Sequence, residues 1–427
     1  MHGPTAPPVA TPEAAQRRET RADPATTQGH DASPCVRRAP RACETASMRT
    51  MGVEEEFLLV GPDGIPTAVA TEVIESSSTT EVTEGGLGAS GGSRPDAPDG
   101  TPGGDLELEL MEEQLETGTH PCADLSELAQ EIRDGRARAN KAAEQRDARI
   151  VALGTSPVPV SPTTVGRLRY LAARAAFGLT AREQLTGGCH VHVAVSSDAE
   201  GVAVLDRIGP WLAPLLALSA NSPYWQGEDS GYASFRSQVW SRWPTAGPAP
   251  SFGTPEAYHA TVDALVATGT ILDTAMIYFD ARLSASYPTV EIRVADVCLD
   301  ADTATLLAAL ARGLVETAAR EADAGVAAPM LHPELLRTAS WRAGRSGISG
   351  DLVSPLTWKP ATAHDVVGQL VAHVREALVD AGDLDAVTEL LGRLWSTGGG
   401  AGRQRTWFAG SGDLRAVVER AAEATLA

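Results

Sequence analysis

The feature that most constrains this chain is the stretch 52–60, GVEEEFLLV, in which three consecutive glutamates lie within an apolar run. A turn-forming sequence at 61–64 follows, so the stretch is predicted to be a β-strand that ends there. Because side chains alternate between the two faces of a strand, Glu54 and Glu56 share one face and Glu55 takes the other. Two adjacent carboxylates repel each other unless a cation lies between them, and Mg²⁺ prefers oxygen ligands. A solvated acidic strand is the alternative interpretation.

Composition limits the class of protein. The chain has 427 residues, of which 43% are hydrophobic and 21% charged, as in globular proteins. A formal charge of −20 argues against nucleic acid as a partner, although nucleotides can still bind through metal ions and local arginines. The five cysteines are odd in number and lack metal-type spacing, which predicts free thiols. Without an apolar run of membrane-spanning length or a signal-peptide core, we expect no membrane association and a cytoplasmic location.

The first 47 residues differ from the rest of the chain. They are rich in Pro, Ala, Thr and Arg, with few large apolar residues and no periodicity. This composition predicts a disordered tail, or an upstream extension of the gene with Met48 as the natural start. Residues 48–427 are predicted to form a single domain. Within it, residues 85–104 are rich in glycine and proline and are predicted to form a mobile loop.

Further strands carry polar residues two positions apart. Residues 187–195 are predicted to form a strand with His190 and His192 on one face, and residues 289–294 one with Glu291 and Arg293. Residues 106–110 alternate Leu and Glu. Continuing that strand to residue 117 would put Gln114 and Glu116 on its apolar face, so a bulge or break near Met111 is needed.

Helices are predicted between these strands. Asp124 with Glu127 three residues later forms a helix start that resembles a capping box, and Asp300 caps another helix. Residues 202–220 are an apolar helical region, kinked or split at Gly209-Pro210. Because strands and helices alternate without a regular βαβ pattern, an antiparallel α+β fold is favoured.

Three strands with paired polar residues suggest one sheet face that forms the floor of an active site. Its inventory is mostly carboxylate with some imidazole, which suits Mg²⁺ or Mn²⁺ better than zinc. Each pair also has a structural interpretation: His-x-His can be structural, and Glu291 can pair with Arg293 in a salt bridge. The residues concerned are Glu54, Glu56, Glu116, Glu291, His190, His192 and Arg293.

Five motifs occur in order: GVEEEF at 52, EQLETGTHP at 113, GCHVHV at 188, ANSPYWQGEDSGYASFRSQVW at 220 and YPTVEIRVADV at 287. Together they resemble the type 2 glutamate–cysteine ligases, in particular the bacterial carboxylate-amine ligases, from about Met48 nearly to the C-terminus. The resemblance implies a glutamine-synthetase-like fold, with a curved antiparallel sheet forming a funnel and helices outside. It also implies that ATP phosphorylates the γ-carboxylate of glutamate and that an amine, with cysteine expected, displaces phosphate.

The resemblance implies roles for individual residues. Mg²⁺, or alternatively Mn²⁺, would be bound by Glu54, Glu56, Glu116, His190 and Glu291. Arg293 and Arg236 would be catalytic, Arg293 as a contact to phosphate or carboxylate and Arg236 as a contact to substrate. Substrate contacts would be Gln114, Tyr232, Arg236 and His192, the last standing where relatives have Asn.

Other functions remain open at this stage. The acceptor can be an amine other than cysteine, and the chain can form an oligomer. A metal-dependent hydrolase built on His190 and His192 would need further ligands, and the candidates His332, His364 and His373 have no matching spacing. A catalytically silent binding protein on the same fold is the third hypothesis.

Overall fold

The acidic stretch forms a central strand of an antiparallel sheet. The computed structural model describes residues 48–84 and 104–427. The strands in this part of the chain are β1 (Met51–Val60), β2 (Leu106–Leu108), β3 (Gln114–Gly118), β4 (Arg149–Val151), β5 (Gly188–Ala194), β6 (Tyr224–Trp225), β7 (Glu228–Asp229), β8 (Ala281–Leu283), β9 (Thr289–Asp296), β10 (Asp351–Val353) and β11 (Pro360–Thr362). Seven of them form the main sheet in the order β2-β3-β1-β5-β9-β8, with β4 beside the end of β1. All of its neighbouring strands are antiparallel.

Helices pack mainly around this sheet. Those in the described chain are α1 (Ala70–Glu84), α2 (Leu125–Glu144), α3 (Leu168–Phe177), α4 (Leu179–Arg182), α5 (Asp198–Ser219), α6 (Arg236–Trp240), α7 (Pro255–Ala267), α8 (Ala301–Asp323), α9 (Pro333–Ser346), α10 (Ala363–His373), α11 (Arg375–Ala381), α12 (Leu384–Thr397), α13 (Gly399–Ser411) and α14 (Leu414–Thr425). Short 3-10 helices lie at Thr274–Met276 and Gly347–Ser349. Residues 1–47 and all but the last residue of the predicted loop 85–104 lie outside the described residues.

The predicted helix caps are confirmed. The Asp124 carboxylate accepts hydrogen bonds from the backbone N–H groups of Ser126 and Glu127, at 2.8 and 3.0 Å. The Asp300 carboxylate accepts one from the N–H of Thr303 at 2.9 Å. These bonds satisfy N–H groups that have no partner inside the helix, and they fix where α2 and α8 begin.

Two expectations about chain breaks have different outcomes. The strand expected from residue 106 to residue 117 does break at Met111, because β2 and β3 pair with each other as an antiparallel hairpin. Of the predicted kink or split at Gly209-Pro210, the split is wrong: α5 runs through both Pro210 and Pro214. Proline in a helix interior removes a hydrogen bond, but α5 is packed between β9, α8 and α9, and this packing maintains the helix.

The largest hydrophobic core lies behind the sheet. Val53, Val191 and Ile292 point from β1, β5 and β9 into it, where α5 and α8 pack. Helix α5 is long and apolar enough to cross a membrane by composition, yet about two thirds of that stretch is buried, as in core helices. The described cysteines, Cys122, Cys189 and Cys298, are buried free thiols, as predicted for them.

Candidate active site

The opposite face of the sheet gathers the predicted polar residues. In the antiparallel register Glu56 lies opposite Glu116, Glu54 opposite His190, and His192 opposite Glu291. Because side chains alternate along each strand, polar side chains from four strands lie on one surface, as the i, i+2 pattern predicted. We call this surface the acidic floor; it comprises Glu54, Glu56, Glu109, Glu116, His190, His192 and Glu291.

One cluster on the floor combines two carboxylates with an imidazole. Ligand atoms of Glu54, His192 and Glu291 all lie within 4.8 Å of one another. The Nε2 atom of His192 is 3.2 Å from Oε1 of Glu54, and its Nδ1 is 2.9 Å from the Thr289 hydroxyl. Burial works to raise the pKa of Glu54, but interactions with His190 and His192 outweigh it and hold that pKa well below its usual range. Burial works to lower the pKa of His192, but the interaction with Glu54 has the larger effect. The pKa of His192 is therefore raised.

A second cluster is made only of carboxylates. Oxygen atoms of Glu56, Glu109 and Glu116 approach within 4.8 Å of one another. Burial and the charge of Glu109 raise the pKa of Glu56 to about 7. Burial and the neighbouring Glu109 raise the pKa of Glu116 well above its usual range. Three carboxylates this close together disfavour one another's ionised forms, and a bound cation would remove that cost.

Glu109 was missed by the sequence analysis. It follows the end of β2, in which Glu107 lies opposite Glu116 of β3, so the Leu–Glu alternation of residues 106–110 puts Glu109 on the same face as Glu116 once the chain folds back. The conflict of parity near Met111 was the available signal, because a chain that reverses there can bring Glu109 back over β3.

His190 lies between the two clusters. Its Nδ1 is 3.4 Å from Glu54 Oε2 and its Nε2 is 3.7 Å from Glu56 Oε1. Burial and the charge of Arg293 lower the pKa of His190 to about 4, so the ring is neutral at physiological pH. A neutral imidazole is the form that ligates metals. Within the described residues, the buried Nε2 atoms of both His190 and His192 accept or donate no well-directed hydrogen bond.

Arginines border the floor. Arg293 pairs with Glu291, and Arg282 donates to Glu291 from Nε at 2.7 Å. Burial works to raise the pKa of Glu291, but Arg293 and Arg282 outweigh it and lower that pKa to about 2. The structural salt bridge considered from the sequence is therefore present. Arg282, which sequence reasoning did not single out, lies opposite Glu291 on β8; only the sheet register reveals it.

Arg236 is a buried cation at the same place. Only 1% of the residue is exposed, and burial lowers the pKa of its guanidinium. Its guanidinium and that of Arg293 lie 5.4 and 5.9 Å from the centre of the Trp240 ring. The Nε atoms of both arginines have no hydrogen-bond partner among the described residues. Such groups are suited to bind an anionic ligand.

The local fold holds Arg236 in place. The Asp296 carboxylate accepts hydrogen bonds from the hydroxyls of Ser222 and Ser234 at 2.6 and 2.7 Å. The Ser222 hydroxyl in turn accepts from the backbone N–H of Arg236 at 3.0 Å. Gly188 faces the guanidinium, and a Cβ there would overlap it. Gly188 at the start of β5 and the two serines, Ser222 and Ser234, therefore position α6.

Two predicted substrate residues have other contacts. Gln114 is buried, and its Nε2 donates to the carbonyl oxygen of Thr186 at 2.8 Å, which joins β3 to the chain before β5. The Tyr232 ring packs against Phe235 and Trp341, 5.7 and 6.0 Å between ring centres, and lies under Arg345. Neither set of contacts includes a carboxylate of the acidic floor. Their predicted roles stay predictions.

The donor set of the floor fits a hard cation. Carboxylate oxygens outnumber imidazole nitrogens, which suits Mg²⁺ or Mn²⁺, and the Nε2 atoms of both histidines face carboxylate oxygens of the floor. The further histidines that a hydrolase would need contribute to neither cluster among the described residues. His373 instead stacks on Trp211 at 4.2 Å, and His364 lies 5.4 Å from the Trp395 ring.

Known proteins resemble this chain over most of its length. Residues 50–420 match the model of a family described as "Glutamate-cysteine ligase family 2". A protein of Streptomyces avermitilis named "Putative glutamate--cysteine ligase 2-1" is 50% identical over 372 residues, which are 87% of this chain and 98% of that protein. A Streptomyces coelicolor protein with a similar name is 50% identical over 87% of this chain and 97% of its own length.

Solved structures share the fold. A bifunctional glutathione synthetase from Pasteurella multocida superposes with a TM-score of 0.62 at 15% identity, covering 88% of this chain and 52% of that one. A glutamate–cysteine ligase from Francisella tularensis, solved with AMP, gives 0.59 at 12% identity and covers 88% of each chain. The predicted α+β architecture, a glutamine-synthetase-like antiparallel sheet with helices outside, is confirmed.

Proposed function

Because the chain belongs to glutamate–cysteine ligase family 2, a family of ATP-dependent carboxylate-amine ligases, we propose that it joins the γ-carboxylate of glutamate to the amine of cysteine. ATP would phosphorylate that carboxylate, and the amine would displace phosphate to form an amide. The observation that carries the proposal is the acidic floor with its two clusters of ligand atoms beside Arg236 and Arg293.

The chain's own residues have distinct tasks in this reaction. Arg293, fixed by Glu291, and Arg236, fixed through Ser222 and Asp296, offer positive charge to the transferring phosphoryl group and to the carboxylate that receives it. Their position on Trp240 limits their movement, so little reorganisation is needed during the reaction. The low pKa of Glu291 keeps it ionised as the counter-charge of Arg293.

A bound cation would complete the charge balance of the floor. We propose that Glu54, His192 and Glu291 hold one Mg²⁺ and that Glu56, Glu109 and Glu116 hold another, with neutral His190 between them. When bound, Mg²⁺ neutralises negative charge on phosphate oxygens. His192 and Glu109 are thereby added to the ligands proposed from the sequence, and His190 lies outside either group of three.

Measuring ADP release tests the proposal. Release from ATP should require glutamate, an amine and Mg²⁺, and cysteine should be the best of a panel of amines. A different best amine would keep the ligase and change its acceptor. Turnover that persists in EDTA, or amide hydrolysis without ATP, would contradict the ligase and favour the hydrolase.

We also propose that residues 48–427 carry the whole activity, because the family match begins at residue 50. A chain that begins at Met48 should keep full turnover and the same melting temperature as the 427-residue chain. A clear loss of either would show that residues 1–47 contribute to the folded enzyme.

A further inference from the structure

A cavity of about 210 Å³ adjoins the acidic floor. It lies just before β8 begins, between α6 and α9, and Arg236 and Arg293 line it as well as bordering the floor. Drug-sized ligands occupy pockets of roughly 300–1,000 Å³. This cavity therefore suits a compound of amino-acid size rather than ATP.

One wall carries an isolated carboxylate. Asp280 is held by its backbone, whose N–H donates to the Gly247 carbonyl and whose carbonyl accepts from the Arg293 N–H, both at 2.9 Å. In the described part of the chain its carboxylate accepts no hydrogen bond. Burial raises the pKa of Asp280 to about 6, while Arg337 and Arg236 act in the opposite direction. A half-buried carboxylate without donors is available to an incoming ammonium group.

The mouth of the cavity carries a cation. Arg337 extends from the exposed side of α9, and no other described residue forms a hydrogen bond or ion pair with its guanidinium. Trp240 and Trp341 also line the cavity, and the two inner arginines lie against the Trp240 ring. The cavity thus presents a cation at its mouth, an anion in its wall and two cations at the end that meets the floor.

We propose that this cavity binds the donor glutamate, with Asp280 receiving its α-ammonium, Arg337 its α-carboxylate, and Arg236 with Arg293 its γ-carboxylate beside the floor. Three guanidinium groups and one carboxylate complement the two carboxylates and one ammonium of glutamate. The inference rests on the proposed ligase and adds the residues that select the donor.

The acceptor amine fits the same cavity less well. Its reacting group is an amine that is cationic when protonated, and the end nearest the floor is lined by two buried arginines. Like charges at that end would repel it, whereas they attract the carboxylate that is to be phosphorylated. The charge order along the cavity therefore assigns it to the donor.

Two analogues of glutamate test the proposed contacts of Asp280 and Arg337 one at a time. Glutarate lacks only the α-ammonium of glutamate, and 4-aminobutyrate lacks only its α-carboxylate. The Asp280→Asn variant should raise the KM for glutamate at least about tenfold and leave that for glutarate nearly unchanged. The Arg337→Gln variant should raise the KM for glutamate and leave that for 4-aminobutyrate nearly unchanged. KM values come from ADP release at saturating ATP and amine.

A matched control lies on the same helix. Arg342 on α9 contacts Asp351 outside the cavity, so Arg342→Gln should leave all three KM values as in the wild type. If wild-type ADP release does not need glutamate, the proposed ligase fails. If it does, and both cavity variants keep the wild-type preference for glutamate over each analogue, or raise the KM for the amine instead, the donor assignment is overturned. Arg337 is exposed, so its variant is informative even where Asp280→Asn does not fold.

Discussion

The two faces of β1 differ in whether their charged side chains have partners of opposite charge. On the back, Glu55 pairs with Arg136 at 2.9 and 2.6 Å, and the other Arg136 donors bond to the carbonyls of Cys298, Leu299 and Thr425. On the front, Glu56 faces further carboxylates. The back is a closed network in which each charge has a partner. The front keeps unfavourable charge that a ligand can neutralise, which is the mark of a functional surface.

The largest effect is expected for Glu56→Gln, which tests the contrast between the two faces of β1. The variant keeps the shape of the side chain and removes a charge from the front face. Turnover should fall at least about 100-fold, because loss of outer-sphere partners of a metal alone costs about 10–100-fold. Melting temperature in EDTA should stay or rise, because repulsion among the carboxylates is reduced. Near-normal turnover would remove Glu56 from the proposed metal site.

The reverse pattern is expected for Glu55→Gln. Breaking a buried ion pair by removing one partner costs about 3–5 kcal/mol of unfolding free energy, because the remaining charge is buried without compensation. Denaturant unfolding measures this cost, and kcat per folded molecule should remain normal. A stable variant with low kcat would show that Glu55 takes part in the reaction.

Glu291 sharpens the comparison because it combines both behaviours. It belongs to a cluster on the front, yet it pairs with Arg293 and Arg282 as Glu55 does with Arg136. Glu291→Gln should lower turnover by orders of magnitude and cost less stability than Glu55→Gln, since Arg293 still interacts with Glu56 and Glu54. The melting temperature reports the effect on stability, and a Mg²⁺ titration of turnover on the same sample reports the effect on metal binding. A destabilised variant with normal activity would contradict metal binding by Glu291.

The smallest predicted effect is a pH dependence. The pKa of Glu56 is about 7 in the folded protein against a usual value of 4.5, so the folded state holds the proton more strongly. Its contribution to stability is then lost as pH rises from about 4.5 to 7. The melting temperature of Glu56→Gln minus that of the wild type, in EDTA, should increase over this range. A difference that is constant with pH would show that Glu56 has an ordinary pKa.

Much of this architecture follows from local patterns. The alternation in 52–60 predicted that Glu55 would leave the face of Glu54 and Glu56, and the pairs in β5 and β9 joined that face as expected. Glu109 and Asp280 could not be found in this way. Glu109 reaches the floor only because β2 folds back on β3, and Asp280 lies outside any strand, just before β8. Their partners are brought close only by pairing between distant segments.

Binding of Mn²⁺, followed by electron paramagnetic resonance, tests the central claim most directly. The free ion gives a signal that weakens when it is bound, so a titration counts sites without requiring turnover. The wild type and Glu55→Gln, measured where both are folded, should bind Mn²⁺ alike, and Glu56→Gln with Glu116→Gln should bind less. If the double variant Glu56→Gln with Glu116→Gln binds Mn²⁺ as well as the wild type does, the assignment of the acidic floor as a metal site is contradicted.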